Sequence, residues 1–354
     1  MNRRDLLVLG AASAATAAAK PAFGQAPPAP AVKKPVIDIY SRQLQWLRTA
    51  DEVAAALIEM GYEGIDVTVR PYPGHVDPEK VTTDLPRFVK TIRDAGKRVS
   101  SITCPITDAD SPNAERMLDA AAQLGIHHYW WGTFRYDQTK PIMPQLEALK
   151  PRVEQLAKLN AKYKMKAMYH TYSGAGTVGA MVWDLLYVLR NFDPRYVSFH
   201  YDLGHMTIAG ANGTWPIGLR AAGPYIGGIS VKDEVLEDTS KARDDVGAQA
   251  PGGGAPPGGP GGAPPVRGGG GGQANPWRVR YVPLGAGMIN LPLFADILKE
   301  ISFDGPFEVQ AEYPLGGADT GQDKITASRA QVLDALKRDL LTVRTALKPS
   351  GLAN

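Results

Sequence analysis

Short β-branched apolar stretches and longer segments of helical period take turns along the chain. PVIDIY (35–40) and IDVTV (65–69) read as strands, with the helix-like DEVAAALIEMGY (51–62) between them. Further strands are predicted at VSSIT (99–103), HHYWW (127–131), KAMY (166–169), VSFHY (197–201), IGGISV (226–231) and FEVQA (307–311). Ser111-Pro112 has the form of a helix start, a capping hydroxyl followed by proline at the first helical position. Leu146, Leu149, Val153, Leu156 and Leu159 recur at intervals of three and four, as do Leu333, Leu336, Leu340, Val343 and Leu347 in the last helix. Eight strands, each followed by a helix, predict an α/β fold, a single-domain (β/α)8 TIM barrel over residues 35–348. A doubly wound open sheet is the alternative; against it, no glycine-rich phosphate loop follows the first strand.

Two segments stand outside this rhythm. Residues 247–276 are almost pure Gly, Pro and Ala, a composition that cannot bury enough apolar area to offset its ordering entropy. They are expected to form a disordered insertion after the seventh strand, a tolerated surface addition rather than a lid. At the other end, paired arginines (Arg3, Arg4), an alanine-rich apolar run and a small-residue ending give residues 1–26 the layout of a Tat-like export signal, followed by a Pro/Ala linker at 27–34. The run from Leu6 to Ala19 is too short to span a bilayer comfortably, so no stable membrane span is expected once the signal is removed. The mature protein is therefore expected to be periplasmic or secreted. The net charge of +3 is small and the basic residues do not cluster, which argues against nucleic acid or an anionic membrane as partner. The single cysteine, Cys104, excludes an internal disulfide framework. Oligomeric state stays open, a homo-oligomer included.

In such a barrel the working face is built from the strand C-termini and the loops after them. Polar residues gather there: Arg42 and Gln43, Arg70 and His75, Arg135, His170, Asp202 and His205, Lys232 and Asp233, and finally Gln310 and Glu312. Three of the six histidines are in this set. Imidazole and carboxylate drawn from separate strands suit a divalent metal such as Mn, Co, Zn, Mg or Fe(II), acting as a Lewis acid on a sugar carbonyl. Arg70, His75, Arg135 and the tryptophans Trp130 and Trp131 are candidates to hold sugar hydroxyls and the apolar sugar face. Each residue has a plain structural alternative. A strand-end histidine can be a hydrogen-bonded structural group, Asp202 can cap the loop after its strand, and Lys232 with Asp233 can be a local ion pair. His127, His128 and His200 lie inside strands, where alternation makes some of them packing residues.

The segments GYEGIDVTVRPYPGHVDPE with DLP after it, AMYHTYSG, VWDLLYVL, YDLGHMTIAG, ISVKD, VPLGAGMIN and DGPFEVQAEYPLGG follow one another in order. In them the chain resembles the sugar phosphate isomerase/epimerase family, the xylose isomerase-like barrels, from about residue 35 to 346. The resemblance implies a metal at the ends of strands five to eight and proton transfer beside a carbonyl through an enediolate. It places metal ligands at His170, Asp202, Gln310 and Glu312, and a substrate-binding histidine at His205. A family histidine of strand seven falls on Ser230, and a strand-eight glutamate falls on Gln310. His170 or Glu312 is then the candidate base, with Lys232 polarising an oxyanion.

The leading expectation is an exported sugar isomerase or epimerase acting on a sugar or keto-sugar derivative. The same proton abstraction can drive β-elimination of a neighbouring glycosidic oxygen, which makes a keto-glycoside lyase or hydrolase a close variant. A non-catalytic sugar-binding barrel with a degraded metal site is the other alternative, favoured by Ser230 and Gln310. A DNA-repair endonuclease fits poorly, since it would need more His and Glu ligands and a basic groove. Deleting residues 247–276 is expected to move the melting temperature by less than about 5 °C, because long loops close at little entropic cost. A larger drop in a thermal melt would show that the segment packs on the barrel.

Overall fold

The computed structural model of the chain describes residues 34–174, 176–210, 213–238 and 277–354. The segments expected to be an export signal (1–26) and a disordered insertion (247–276), with nearly all of the 27–34 linker, lie outside the described residues. In chain order the strands are β1 (Ile37–Tyr40), β2 (Gly64–Thr68), β3 (Arg98–Thr103), β4 (His128–Trp131), β5 (Lys166–His170), β6 (Val197–Asp202), β7 (Ile226–Val231), β8 (Asp233–Asp238), β9 (Trp277–Val282) and β10 (Phe307–Val309). Eight of them close a parallel barrel in the order β1-β10-β7-β6-β5-β4-β3-β2. The helices are α1 (Ala50–Met60), α2 (Val81–Asp94), α3 (Ala114–Gln123), α4 (Ile142–Tyr163), α5 (Val182–Leu189), α6 (Leu203–Ala209), α7 (Trp215–Ala222), α8 (Leu291–Glu300) and α9 (Arg329–Leu347). The predicted (β/α)8 barrel is the observed fold. Among the described residues, no helix is long and apolar enough to cross a membrane.

Strand alternation divides the barrel into two chemical layers. One parity (Ile37, Ile39, Ile65, Val67, Tyr169, Phe199, Tyr201, Phe307, Val309) belongs to the continuous hydrophobic core shared with helix residues such as Leu57, Leu118, Leu156 and Leu336. Burying each such aliphatic side chain contributes about 1.5–3 kcal/mol. The helical periods read from sequence serve this layer: Leu146, Val153 and Leu156 of α4 are buried, as are all five of the spaced residues in α9. Capping boxes start α1 (Thr49 with Glu52) and α9 (Ser328 with Gln331). The opposite parity is polar and equally buried: Asp38, Asp66, Thr68, Ser101, Thr103, His170, His200, Asp202, Ser230 and Glu308.

Two local expectations are corrected. Ser111 does not cap α3; its hydroxyl accepts the backbone N–H groups of Thr107 and Asp108, and the helix begins at Ala114 after Asn113 in a left-handed conformation. The seventh strand is also not followed directly by a helix, as the eightfold pattern predicted, but by a two-stranded ribbon. β8 and β9 pair antiparallel from Asp233↔Val282 to Asp238↔Trp277, stitched by Glu237 to Arg278 and Arg280.

The polar interior has a measurable consequence. Burial pushes the Asp66 carboxyl from 3.8 up to about 6, even though the Ser101 and Thr103 hydroxyls donate to it. The folded chain therefore holds a proton that the unfolded chain releases, and this contribution to stability, full below pH 4, is lost as pH rises through about 6. Asp66→Asn is expected to be more stable than wild type at pH 8 by about 3 kcal/mol, with the advantage gone at pH 3.5. Urea unfolding of both proteins at the two pH values checks this; an equal difference at both would refute it.

Candidate active site

The C-terminal ends of β5, β6 and β7 and the residues after β7 and β10 bring His170, Asp202, Lys232 and Glu312 together. Asp202 ends β6 and caps α6, its Oδ1 accepting the His205 N–H at 2.8 Å. That cap is why the chain turns into a helix at this point, and it swings the His205 ring over the strand ends. Lys232 follows β7 and is 1% exposed. Its Nζ lies 3.1 Å from Asp202 Oδ2, 3.2 Å from Glu312 Oε2 and 2.9 Å from His205 Nε2. Arg42, from the loop after β1, donates to Glu312 Oε1 at 3.4 Å. Charges thus alternate along Arg42, Glu312, Lys232 and Asp202, two positive and two negative. The first turn of α6 rests directly on Lys232: a Cβ at Gly204 would meet Lys232 Cγ at 2.7 Å and Glu234 Oε2 at 2.5 Å, so only glycine fits there.

A hydrogen bond fixes the His205 tautomer. An ammonium only donates, so His205 Nε2 accepts from Lys232 and its Nδ1–H points to Ser173 Oγ, 3.0 Å away. His170 and His200 approach through their Nδ1 atoms at 3.1 Å. The His200 ring also bonds the Ile229 backbone in a way that favours a proton there. One ring donates and the other accepts across that contact, and His170 Nε2 lies 3.5 Å from Asp202 Oδ2. Trp130 stacks on His170 at 4.1 Å with only 9° between the planes, and Tyr40 stacks on the other side of Trp130.

Burial and neighbouring charge set the protonation of the group. Burial acts to raise Glu312, but Lys232 and Arg42 outweigh it and hold the carboxyl at about 2. Burial alone would lower Lys232, yet Asp202 and Glu312 lift it above the ordinary lysine range. His205 is pressed down to about 4 by burial and by Lys232, and His170 falls well below the usual imidazole value for the same reasons together with His200. Both rings are neutral at pH 7. Glu234, just past Lys232, is driven to about 9 by burial and by Asp202, and neither of its oxygens has a hydrogen-bond partner.

The remaining predicted residues are distributed unequally. Gln310 donates its amide to Glu308 Oε1 at 2.7 Å, and Ser230 Oγ is buried without a partner beside Asp202 in the β6–β7 register. Asp233 does not pair with Lys232; it accepts the N–H groups of Gly285, Gly287 and Ile289 and pins that loop. Arg70 reaches the Tyr40 ring at 5.9 Å, with its Nε unpartnered. His75 is held at 3.2 Å by Thr68 and by the Leu44 and Leu47 carbonyls. Arg135 is exposed, on a bridge to Thr177. Trp131 packs against Phe134 and Tyr169 and donates to the Thr107 carbonyl, so the ring lying on His170 is Trp130. Sequence reasoning missed His200, Ser173 and Glu234 as site neighbours. Strand parity was the available signal for His200, two residues before Asp202 on the same face.

A metal would find three donors here. His170, Asp202 and His205 each offer one ligand atom lying within 4.8 Å of the other two. Two imidazoles and a carboxylate suit Zn, Co, Mn or Fe(II). Glu312 is not in this group and His205 is; Gln310 turns its amide to Glu308.

Because Glu312 is held below its ordinary 4.5, its pairing stabilises the fold above pH 4.5 and is lost as pH falls toward 2. Glu312→Gln is expected to cost about 2–3 kcal/mol at pH 7 and almost nothing at pH 2.5. Denaturant titrations of both proteins across that range test it; a penalty that does not shrink in acid would count against the pairing.

Most of the chain aligns with known barrels. A 3-keto-D-glucoside 4-epimerase from E. coli, in its apo form, superposes with a TM-score of 0.56 at 14% identity, covering 88% of this chain and 100% of that one. A D-psicose 3-epimerase from Clostridium cellulolyticum H10, crystallised with D-tagatose, gives 0.57 at 14% identity, covering 88% and 99%. The IOLI protein with a bound zinc atom gives 0.57 at 12% identity, covering 88% and 98%. No curated protein matches the chain. With a match to the xylose isomerase-like TIM barrel family over residues 54–336 and the closed eight-stranded barrel that this family's description requires, the chain belongs to that family.

Proposed function

We propose that the protein transfers a proton at the carbon beside the carbonyl of a sugar or keto-sugar, an isomerase or epimerase reaction passing through an enediolate. The observation that carries this reading is the buried Lys232 ammonium set between Glu312 and Asp202 at the strand ends, with Glu312 the most open member of the group at 20% side-chain exposure. A carbonyl oxygen entering from the barrel mouth replaces Glu312 as a partner of Lys232. The ammonium then stabilises the oxygen as negative charge develops on it. Glu312, released from that contact, gains basicity and takes the proton. His170, backed by His200, is the second proton carrier when no ion holds its Nε2. The alternative to the lysine is a divalent ion: held by His170, Asp202 and His205 in place of the Lys232 contacts, it would supply Lewis acidity instead. The structural similarity to sugar epimerases and to a zinc-binding barrel supports this chemistry.

The similarity to a 3-keto-D-glucoside 4-epimerase supports a keto-glucoside as substrate; a variant of the reaction, in which the enediolate expels a neighbouring glycosidic oxygen, is the second reading. The two outcomes begin with the same step and differ in product. Incubating the protein with ketohexoses and with 3-keto-glucosides in D2O, followed by NMR, is expected to show deuterium entering the carbon beside the carbonyl. Asp202→Asn, which keeps the cap on α6 but removes the charge facing Lys232, is expected to lower the exchange rate by about 10²-fold or more. Absence of exchange with every keto-sugar tried, or full activity in Asp202→Asn, would sink the assignment.

A further inference from the structure

The metal-ligand corner and the lysine compete for the same electrons. A neutral imidazole nitrogen has one in-plane lone pair, and on His205 Nε2 it already receives Lys232 at 2.9 Å. The other nitrogen of that ring faces Ser173. Asp202 Oδ2 lies 3.1 Å from the same ammonium. Metal–nitrogen and metal–oxygen bonds of about 2.0–2.2 Å would put an ion within about 5 Å of Nζ, where a dication and an ammonium repel strongly. The lysine has little room to yield. Its stem is capped by Gly204, its head lies 5.5 Å above the Tyr281 ring, and the surrounding charges already balance. Neither Ser230 nor Gln310 brings further negative charge to draw an ion in.

We propose that the Lys232 ammonium is the built-in cation of this site and that it excludes a divalent metal from the His170–Asp202–His205 corner. The inference rests on the same site as the proposed proton transfer, and makes Lys232 the group that holds a substrate carbonyl or enediolate oxygen without a resident ion.

Binding of Mn²⁺, Co²⁺ and Zn²⁺ to the full chain, after chelator treatment, separates this from the turnover question. Titration calorimetry is expected to give wild type and Lys232→Arg dissociation constants no tighter than about 100 μM. Lys232→Met is expected to bind Co²⁺ at least about thirtyfold more tightly, to gain melting temperature on adding it, and to lose both effects when His205→Ala is added. Stoichiometric binding by wild type at submicromolar concentration would overturn the proposal. So would a folded Lys232→Met with no gain; if that variant does not fold, Lys232→Gln takes its place, and the wild-type titration decides on its own. Sugar exchange can fail while this result holds, and tight wild-type binding would refute it while leaving the proton transfer intact.

Discussion

An ammonium without water is tolerable only where acceptors surround it, and the top of this barrel is arranged around one such group. Stripping the hydration from Lys232 costs several kcal/mol, recovered only because Asp202, Glu312 and His205 converge on it from β6, the segment after β10 and α6. Much of the local geometry follows from that need. Asp202 must both cap α6 and face the lysine, Gly204 must lack a side chain, and Arg42 must arrive from the loop after β1 to balance the second carboxylate. Residues distant in sequence are thereby locked into one electrically closed unit.

The barrel interior repeats the theme with less symmetry. Asp38, Asp66 and Glu308 share a polar layer in which burial raises all three carboxyls, so protons take the part that a lysine takes nearer the rim. Several polar atoms of this interior and its rim, among them Ser230 Oγ, Trp130 Nε1 and one oxygen each of Asp38 and Glu308, have no hydrogen-bond partner. Such atoms are costly in a folded chain unless something polar meets them.

Much of the fold was legible because most barrel strands combine β-branched or aromatic residues with a boundary, and helices such as α4 and α9 show a clear period; the eight predicted strands fall within two residues of those observed. The β8–β9 pair escaped because DEVLED is acidic and WRVRYV follows directly on the Gly/Pro-rich run, which drowns a six-residue alternation. In the site, strand ends were enough to bring His170, Asp202, Lys232 and Glu312 to one place. Which neighbour each would choose was not. Lys232 beside Asp233 reads as a local pair, yet adjacent residues after a strand point to opposite sides, and each found its partner elsewhere. Trp130 and Trp131 are separated by the same parity, and only the register against Tyr40 and His170 tells which ring reaches the imidazole.

The antiparallel ribbon beyond Lys232 bears on how this chain tolerates change. Residues 239–276 depart from Asp238 and return at Trp277, which are paired directly across from each other, while Asp233 anchors the other end of the ribbon to the 285–289 turn. Whatever sequence is grafted between those two positions begins and ends at one point, six rungs from the catalytic rim. Insert length at that point is therefore decoupled from the spacing of the charged cluster.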